Sequence, residues 1–171
     1  MTLTLRDIRQ SDAEAFAELI VQLTRETPFT LFTEQEARAA AASQAERTRQ
    51  LIASPLQAIY LALDEEKIVG FIGLTRGAMA KNRHVCSLMM GVRKTHQRQG
   101  IGSRLLQQGL EWTMEQDVQR VELGVLAANA PAIALYEKFA FAREGTRTGA
   151  IRDGETWHDE IIMAKLLSSL S

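Results

Sequence analysis

A short segment with two glycines, Gln97–Gly102, contains the residues whose types and spacing best fit a chemical role. It follows an apolar run from Val85 to Val92 that predicts a β-strand, and it precedes an amphipathic stretch from Ser103 to Trp112 that predicts a helix. Glycines leave backbone N–H groups accessible to an anion, and the positive end of a helix dipole adds to the attraction. This segment, called the glycine turn below, therefore predicts a phosphate-binding site made of main-chain N–H groups.

The charge around the glycine turn is positive, although the whole chain has a net charge of only −1. The segment from Lys67 to Leu110 contains no Asp or Glu. Its basic residues are Lys67, Arg76, Lys81, Arg83, Arg93, Lys94, Arg98 and Arg104. A basic block around such a turn favours a polyanionic ligand over the alternative of a solvated basic face. The small net charge argues against a general nucleic-acid or membrane binder.

Length and composition predict one globular domain that spans residues 1–171, because 171 residues with 46% hydrophobic content can bury a full core. Cys86 is the single cysteine, so an intrachain disulfide is excluded, and the three scattered histidines have no metal-ligand spacing. We therefore expect no metal. The absence of a signal-peptide pattern and of a long apolar run favours a soluble, cytoplasmic protein.

Hydrophobic periodicity and turn signals predict an alternating order of strands and helices around the glycine turn. The predicted elements are a strand over 2–8, a helix from a capping box at 11–14 to about 24, a helix from a capping box at 33–36 to 52, a hairpin with strands over 58–63 and 67–75, a strand over 85–92, a helix to about 116, a strand over 121–126, a helix from 131 to about 139, and a hairpin with strands near 141–148 and 156–166. This order predicts one mixed α/β unit.

A second motif lies about thirty residues beyond the glycine turn, in the segment Asn129–Phe141. Its pattern is Asn129-x-x-Ala132-x-x-x-Tyr136, and it follows the strand, glycine turn, helix and strand in that order. Together the two motifs resemble the GCN5-related N-acetyltransferase (GNAT) superfamily. The resemblance implies an α/β (mixed α+β) fold with a central, mostly antiparallel twisted sheet of about seven strands, splayed in the middle and flanked by about four helices.

The resemblance also implies acetyl-coenzyme A (acetyl-CoA) as cosubstrate and transfer of its acetyl group to a primary amine. Val92 N–H would stabilise the developing oxyanion, and Tyr136 would protonate the departing thiolate. Gly91 marks either a bulge or the end of a strand. The implied cofactor-binding residues are Met90, Gly91, Val92, Gln97, Arg98, Gln99, Gly100, Ile101, Gly102, Ser103, Asn129, Ala132 and Tyr136. Asn129 is also a good helix N-cap, and both of its roles can be filled together.

The general base is left open by the sequence. In the ribosomal-protein alanine acetyltransferase branch a Glu five residues before the Asn removes the proton, and that position is Gly124 here. Glu122 lies two residues earlier on the same strand face, and His84 opens the strand before the glycine turn. A water relay is the third alternative. Ala140 stands where the family has a glycine, so we expect a left-handed alanine that costs roughly 1 kcal/mol.

The acceptor is the least determined part. Glu26, Phe29 and Phe32 lie in the expected acceptor loop, where Glu26 would attract an ammonium, and core packing is the alternative for both phenylalanines. The tail over 145–160 resembles bacterial members that acetylate amino acids, amino-acid-like compounds, polyamines or protein N-termini. We expect a small-molecule amine, with no nucleic acid and no membrane as partner, and a homodimer is one option.

Other classes fit the sequence less well. A ribosomal-protein or other N-terminal acetyltransferase and a non-catalytic acyl-CoA sensor are the alternatives of the same fold, and Tyr136 favours an enzyme over a sensor. A dinucleotide-dependent oxidoreductase would need a glycine at the position of Leu105.

Overall fold

The computed structural model describes residues 3–167. Its helices and strands are β1 (Leu3–Asp7), α1 (Ala13–Glu26), α2 (Glu34–Ile52), β2 (Gln57–Asp64), β3 (Lys67–Arg76), β4 (Val85–Val92), α3 (Ile101–Glu115), β5 (Arg120–Leu126), α4 (Ala130–Lys138), β6 (Ala142–Asp153) and β7 (Thr156–Leu166). The strand order is β1-β2-β3-β4-β5-β7-β6, and β4 and β5 form a parallel pair in an otherwise mostly antiparallel sheet. The predicted mixed α/β class, with seven strands and four α-helices, is confirmed for the described residues.

The described chain divides into two compact units. The first contains the residues up to Thr75 together with Met89–Trp112, and the second contains Arg76–Leu88 together with the residues from Thr113 onward. The glycine turn belongs to the first unit, and Tyr136 belongs to the second. The expectation of one domain over the whole chain stays a prediction.

In the first unit, α1 packs its apolar stripe on the β2–β3 hairpin. Phe16, Leu19 and Leu23 of α1 form a buried cluster with residues of β2 and β3. The Phe16 ring meets the Phe71 ring edge-on, with 5.1 Å between the centroids. Leu23 and Phe71 of this cluster also lie next to Gly91 in β4, the strand that precedes the glycine turn.

In the second unit, β5 lies between β4 and β7. It pairs with β7 along its whole length, from Arg120 opposite Leu166 to Leu126 opposite Glu160. Its parallel pairing with β4 joins only Val85–Ser87 to Arg120–Glu122. Among the described residues, the later part of β5 therefore has a strand partner on the β7 side alone, and the splaying of the middle strands stays a prediction.

The first predicted capping box, at 11–14, is wrong. Helix α1 begins at Ala13, after a short 3₁₀ turn over Gln10–Asp12. The Asp12 carboxylate accepts the Arg9 N–H at 2.7 Å and forms an ion pair with Arg6 at 2.6 Å. The Arg6 guanidinium lowers the pKa of the Asp12 carboxyl. The Asp12 side chain therefore caps the preceding turn and not α1, because Arg6 at the end of β1 holds it there.

The second predicted capping box is confirmed. Thr33 Oγ1 accepts the Glu36 N–H at 3.2 Å, and Glu36 Oε2 accepts the Thr33 N–H at 2.8 Å. The final hairpin differs from its prediction, because β6 continues to Asp153 past a register shift between Arg147 and Ile151. The shift lets the strand resume pairing beyond residue 148, where the sequence pattern predicted an end.

Residues 3–167 contain no cluster of three or more His, Cys, Asp or Glu side chains that is arranged to hold a metal ion. Within the same residues, every helix is too short or too polar to cross a membrane.

Candidate functional site

The backbone of the glycine turn passes through the left-handed region twice. Arg98 has φ 60° and Gly100 has φ 79°. A Cβ added at Gly100 would have no atom within 4 Å, so the backbone conformation, and not a lack of space, favours glycine there. Residues from Gln97 to Gly100 are exposed, and α3 begins directly after them.

The main-chain N–H groups from Arg98 to Ser103 have no main-chain carbonyl partner among the described residues. The first N–H of this region with such a partner is that of Arg104, which donates to the Gly100 carbonyl at 3.0 Å. The start of α3 therefore presents a run of unpaired donors next to the exposed side chains of Arg98 and Arg104. This donor set fits an anion such as a diphosphate.

Two glutamine side chains fix the shape of the turn. Gln97 Nε2 donates to the Val92 carbonyl at 3.0 Å, and Gln99 Nε2 donates to the Thr95 carbonyl at 3.2 Å. The main chain of the turn is thereby tied to the end of β4, while its own N–H groups stay free of these bonds.

Glu26 fastens the end of α1 to the segment that follows β4. Its Oε1 accepts a hydrogen bond from Arg93 Nε at 2.6 Å, and its Oε2 accepts the Lys94 N–H at 2.6 Å. Arg93 also donates to the side-chain oxygen of Gln22. Both Glu26 oxygens are thus engaged within the fold, and the attraction of a substrate ammonium by Glu26 stays a prediction that this geometry does not support.

Close packing explains why a glycine stands at position 91, a reason that the sequence did not reveal. A Cβ added there would lie 2.8 Å from Leu23 Cδ1 and 3.3 Å from Phe71 Cε1. The Leu23 side chain would have to shift to make room for a side chain at this position. Phe29 and Phe32, in the loop between α1 and α2, are 36% and 53% exposed, so neither is a core residue and their role as acceptor walls stays a prediction.

In the second unit, Asn129 caps α4 as expected of an N-cap residue. Its Oδ1 accepts the Ala132 N–H at 3.4 Å, with Pro131 in the first turn of the helix. The contact of Asn129 and Ala132 with a cofactor arm stays a prediction. At the other end of the helix, Ala140 has φ 63°, which confirms the predicted left-handed alanine.

Tyr136 lies two turns along α4 and is 7% exposed. Its ring centroid is 5.8 Å from that of Phe141. Burial raises the pKa of the Tyr136 hydroxyl to about 12, because the phenolate would be poorly solvated. The hydroxyl therefore stays protonated at any physiological pH, as a proton donor must.

Glu122 is held in an ion-pair cluster. Its Oε2 accepts a hydrogen bond from Arg120 Nε at 2.9 Å, and Arg120 also donates to both oxygens of Glu144 at 2.8 and 2.5 Å. The same arginine lowers the pKa of the Glu144 carboxyl. Glu122 also lies opposite Ser87, in the first half of β5.

His84 lies just before β4, where its carbonyl accepts the N–H groups of Gln119 at 2.9 Å and Arg120 at 3.1 Å. The role of His84 as general base stays a prediction.

Sequence reasoning missed Glu160, a carboxylate on β7. A Cβ added at Gly124 would lie 2.7 Å from the Glu160 carboxyl carbon and 3.3 Å from its Cγ. The Glu160 side chain is 18% exposed and accepts a hydrogen bond from Arg147 Nη1 at 2.6 Å. The signal that could have found it is the pairing of the strand at 121–126 with the last strand, which the sequence pattern did not specify.

The neighbouring Asp159 has a structural partner. Its Oδ1 accepts the N–H of Gly149 at 2.8 Å, at the register shift of β6 where Gly149 has φ 61°. This bond stabilises the irregular part of the last hairpin.

Comparisons with known proteins add independent evidence. The model of the acetyltransferase (GNAT) family matches residues 17–141, which contain both sequence motifs. The chain is 32% identical over 104 residues to the L-amino acid N-acetyltransferase AaaT of Escherichia coli (strain K12), a match over 58% of this chain and 62% of that protein. It is 30% identical over 122 residues to the N-alpha-acetyltransferase of Saccharolobus solfataricus, over 64% of this chain and 70% of that protein.

The chain thus spans less than two thirds of the length of the first of these relatives. Among solved structures, the acetyltransferase of the GNAT family from Streptococcus pneumoniae has a TM-score of 0.89 to this chain and is 26% identical to it. That similarity covers 98% of this chain and 100% of the other.

Proposed function

This chain belongs to the acetyltransferase (GNAT) family, and on that premise we propose that it transfers an acetyl group from acetyl-CoA to a primary amine of a small molecule. The observation that carries the proposal is the run of main-chain N–H groups from Arg98 to Ser103 that have no main-chain carbonyl partner among the described residues, the first three of which belong to exposed residues. Such a donor set fits the diphosphate of a coenzyme A thioester.

The residues have separate roles in the proposed reaction. Acetyl-CoA would supply a thioester whose carbonyl carbon forms a bond to the amine nitrogen while its bond to sulfur breaks. The glycine turn would bind the diphosphate, with Arg98 as a charge-assisted partner. The Val92 N–H would stabilise the negative charge on the carbonyl oxygen, and Tyr136 would give its proton to the sulfur.

The acceptor class is proposed from the relatives. One is named as an L-amino acid N-acetyltransferase and the other as an N-alpha-acetyltransferase, and both names refer to an α-amino group or an N-terminus. An amino acid, an amino-acid analogue or a polyamine is our proposal, and a protein N-terminus, ribosomal proteins included, is the alternative. A panel of L-amino acids, polyamines and N-terminal peptides, compared by kcat/KM, distinguishes them. A cytoplasmic location and a homodimer also remain proposals from the sequence.

Calorimetric titration with acetyl-CoA tests the cofactor site. Gly100→Asp should raise the Kd at least about tenfold, because it adds a negative charge and a strained left-handed side chain beside the diphosphate. Gly145→Asp is the matched control, since nothing lies within 4 Å of its Cβ position and its φ is ordinary. A wild-type protein that does not bind acetyl-CoA would refute the proposal.

Release of free thiol tests the reaction itself. A wild-type protein that binds acetyl-CoA but releases thiol with no amine of the panel would favour the acyl-CoA sensor.

A further inference from the structure

Strand β5 has no side chain at Gly124, and a carboxylate from the neighbouring strand β7 lies in the space that such a side chain would fill. Gly124 pairs with Ile162 and is exposed, and Glu160 lies two pairs further along, opposite Leu126. Gly124, Leu126 and Glu160 therefore share one face of the sheet. The Glu160 carboxyl group bends over Gly124, in the volume that a side chain at position 124 would occupy.

The two oxygens of this carboxylate have different surroundings. Oε2 accepts the hydrogen bond from Arg147, which lies directly opposite Glu160 on β6. Oε1 is the atom nearest to the added Cβ at Gly124, and it makes no hydrogen bond among the described residues. Arg147 thus balances the charge of a largely buried carboxylate and leaves one oxygen free to accept a proton.

Glu160 lies at the end of β5 where α4 begins. Its strand neighbour Leu126 accepts the N–H of Asn129 at 2.8 Å, and the Ala127 N–H donates to the Asp159 carbonyl at 2.9 Å. Glu122, by contrast, lies two residues before Gly124 on β5, roughly 7 Å along the strand, and its carboxylate is bonded to Arg120.

We propose that Glu160 is the general base that removes a proton from the acceptor's ammonium group. The inference rests on the proposed acetyl transfer, which requires a neutral amine as nucleophile. Oε1 takes one proton from the ammonium, directly or through one water, and the freed nitrogen lone pair forms the carbon–nitrogen bond. The carbon–sulfur bond then breaks as the sulfur takes a proton from Tyr136, the second proton of the nitrogen passes through water to the Tyr136 oxygen, and Glu160 returns its own proton to solvent. In this chain the basic carboxylate therefore comes from β7.

Glu160→Gln tests the assignment, since it keeps the size of the side chain and removes its basicity. We expect kcat/KM for the amine to fall by about 10²–10⁴-fold with an unchanged Kd for acetyl-CoA. Glu144→Gln is the matched control, because Glu144 is also a strand carboxylate paired with an arginine but lies outside the space over Gly124. It should keep wild-type kcat/KM.

The pH profile separates a base from a structural residue. The loss in Glu160→Gln should shrink as the pH rises toward the pKa of the amine, because solution then supplies the neutral nucleophile. The other charged or titratable groups that face Glu160 are Arg147 on β6, Glu122 on β5 and His158 on β7. All three are the same in the wild type and in Glu160→Gln, so the difference between the two pH profiles reports on Glu160.

A carboxylate swap gives the sharpest test. Glu160→Ala should lose kcat/KM to the same extent as Glu160→Gln, and adding Gly124→Glu should place a carboxylate in the vacated volume from the other strand. We expect kcat/KM of the double variant to be at least about tenfold higher than that of Glu160→Ala. A folded double variant that binds acetyl-CoA and is no more active than Glu160→Ala would overturn the assignment.

The remaining outcomes distinguish the inference from the function on which it rests. An active wild type with an equally active Glu160→Gln overturns the role of Glu160 and leaves the acetyltransferase intact. A wild type that releases no thiol with any amine overturns both. If Glu160→Gln does not fold, as circular dichroism would show, the comparison of Glu160→Ala with the double variant decides.

Discussion

The buried hydroxyl of Tyr136 should make the stability of the protein depend on alkaline pH. Burial raises its pKa to about 12 in the folded protein, from the ordinary value of 10.0 expected in the unfolded chain. The unfolded chain therefore loses this proton first as the pH rises. The stabilising contribution is fully present below the unfolded pKa and is lost as the pH rises through the folded pKa.

The size of the effect follows from the two pKa values. A gap of about two units corresponds to about 3 kcal/mol once both states are ionised. At about pH 11, midway between the two values, the loss should be about 1.4 kcal/mol. Tyr136 is 7% exposed, so solvent screening reduces this figure little.

Urea unfolding of the wild type and of Tyr136→Phe, at about pH 8 and about pH 11, measures the effect. All other titrating groups are common to both proteins, so the difference between their free energies of unfolding isolates Tyr136. We expect that difference to move by about 1.4 kcal/mol in favour of the variant at the higher pH. A difference that is the same at both pH values would refute the reasoning, because it would mean that the hydroxyl ionises equally in both states.

Three further predictions follow from the contacts around the site. Tyr136→Phe should lower kcat by about 10²–10⁴-fold without changing the Kd for acetyl-CoA, and equal turnover would remove Tyr136 from the acid role. Gly91→Ala should lower the free energy of unfolding by about 1–3 kcal/mol, since its Cβ meets Leu23 at 2.8 Å. The control Gly145→Ala should change that free energy by less than about 0.5 kcal/mol, and equal changes in the two variants would contradict the packing argument. Glu26→Gln should destabilise the fold by about 1–2 kcal/mol and raise the KM for acetyl-CoA, and a change confined to the KM of the amine would support the ammonium-binding prediction instead.

Local features were predictable from the sequence because short-range geometry determines them. The strand Val85–Val92 was predicted with its observed bounds, and the capping box at Thr33 and Glu36 joins residues only three positions apart. The left-handed Ala140 follows from the place where a helix must end. The capping box at 11–14 was wrong because Arg6, on β1, pairs with Asp12 and lies outside the local pattern.

The roles of the carboxylates were not predictable in this way. Glu26 is bonded to Arg93, which is 67 residues away, and Arg120 is bonded to Glu144, which is 24 residues away. The choice of an ion-pair partner depends on how helices pack and on the register in which strands pair, and composition does not encode either. Glu122 and Glu26 were candidates from their positions alone, and both prove to be held by arginines.

The sequence by itself determined the order of the elements and the two motifs, because each depends on residues within a few positions of one another. Only the tertiary structure decided which carboxylates are bonded to arginines and which oxygen of Glu160 makes no hydrogen bond. Glu160 and Gly124 are far apart in the chain, and the antiparallel register of β5 and β7 brings the carboxylate of one over the missing side chain of the other.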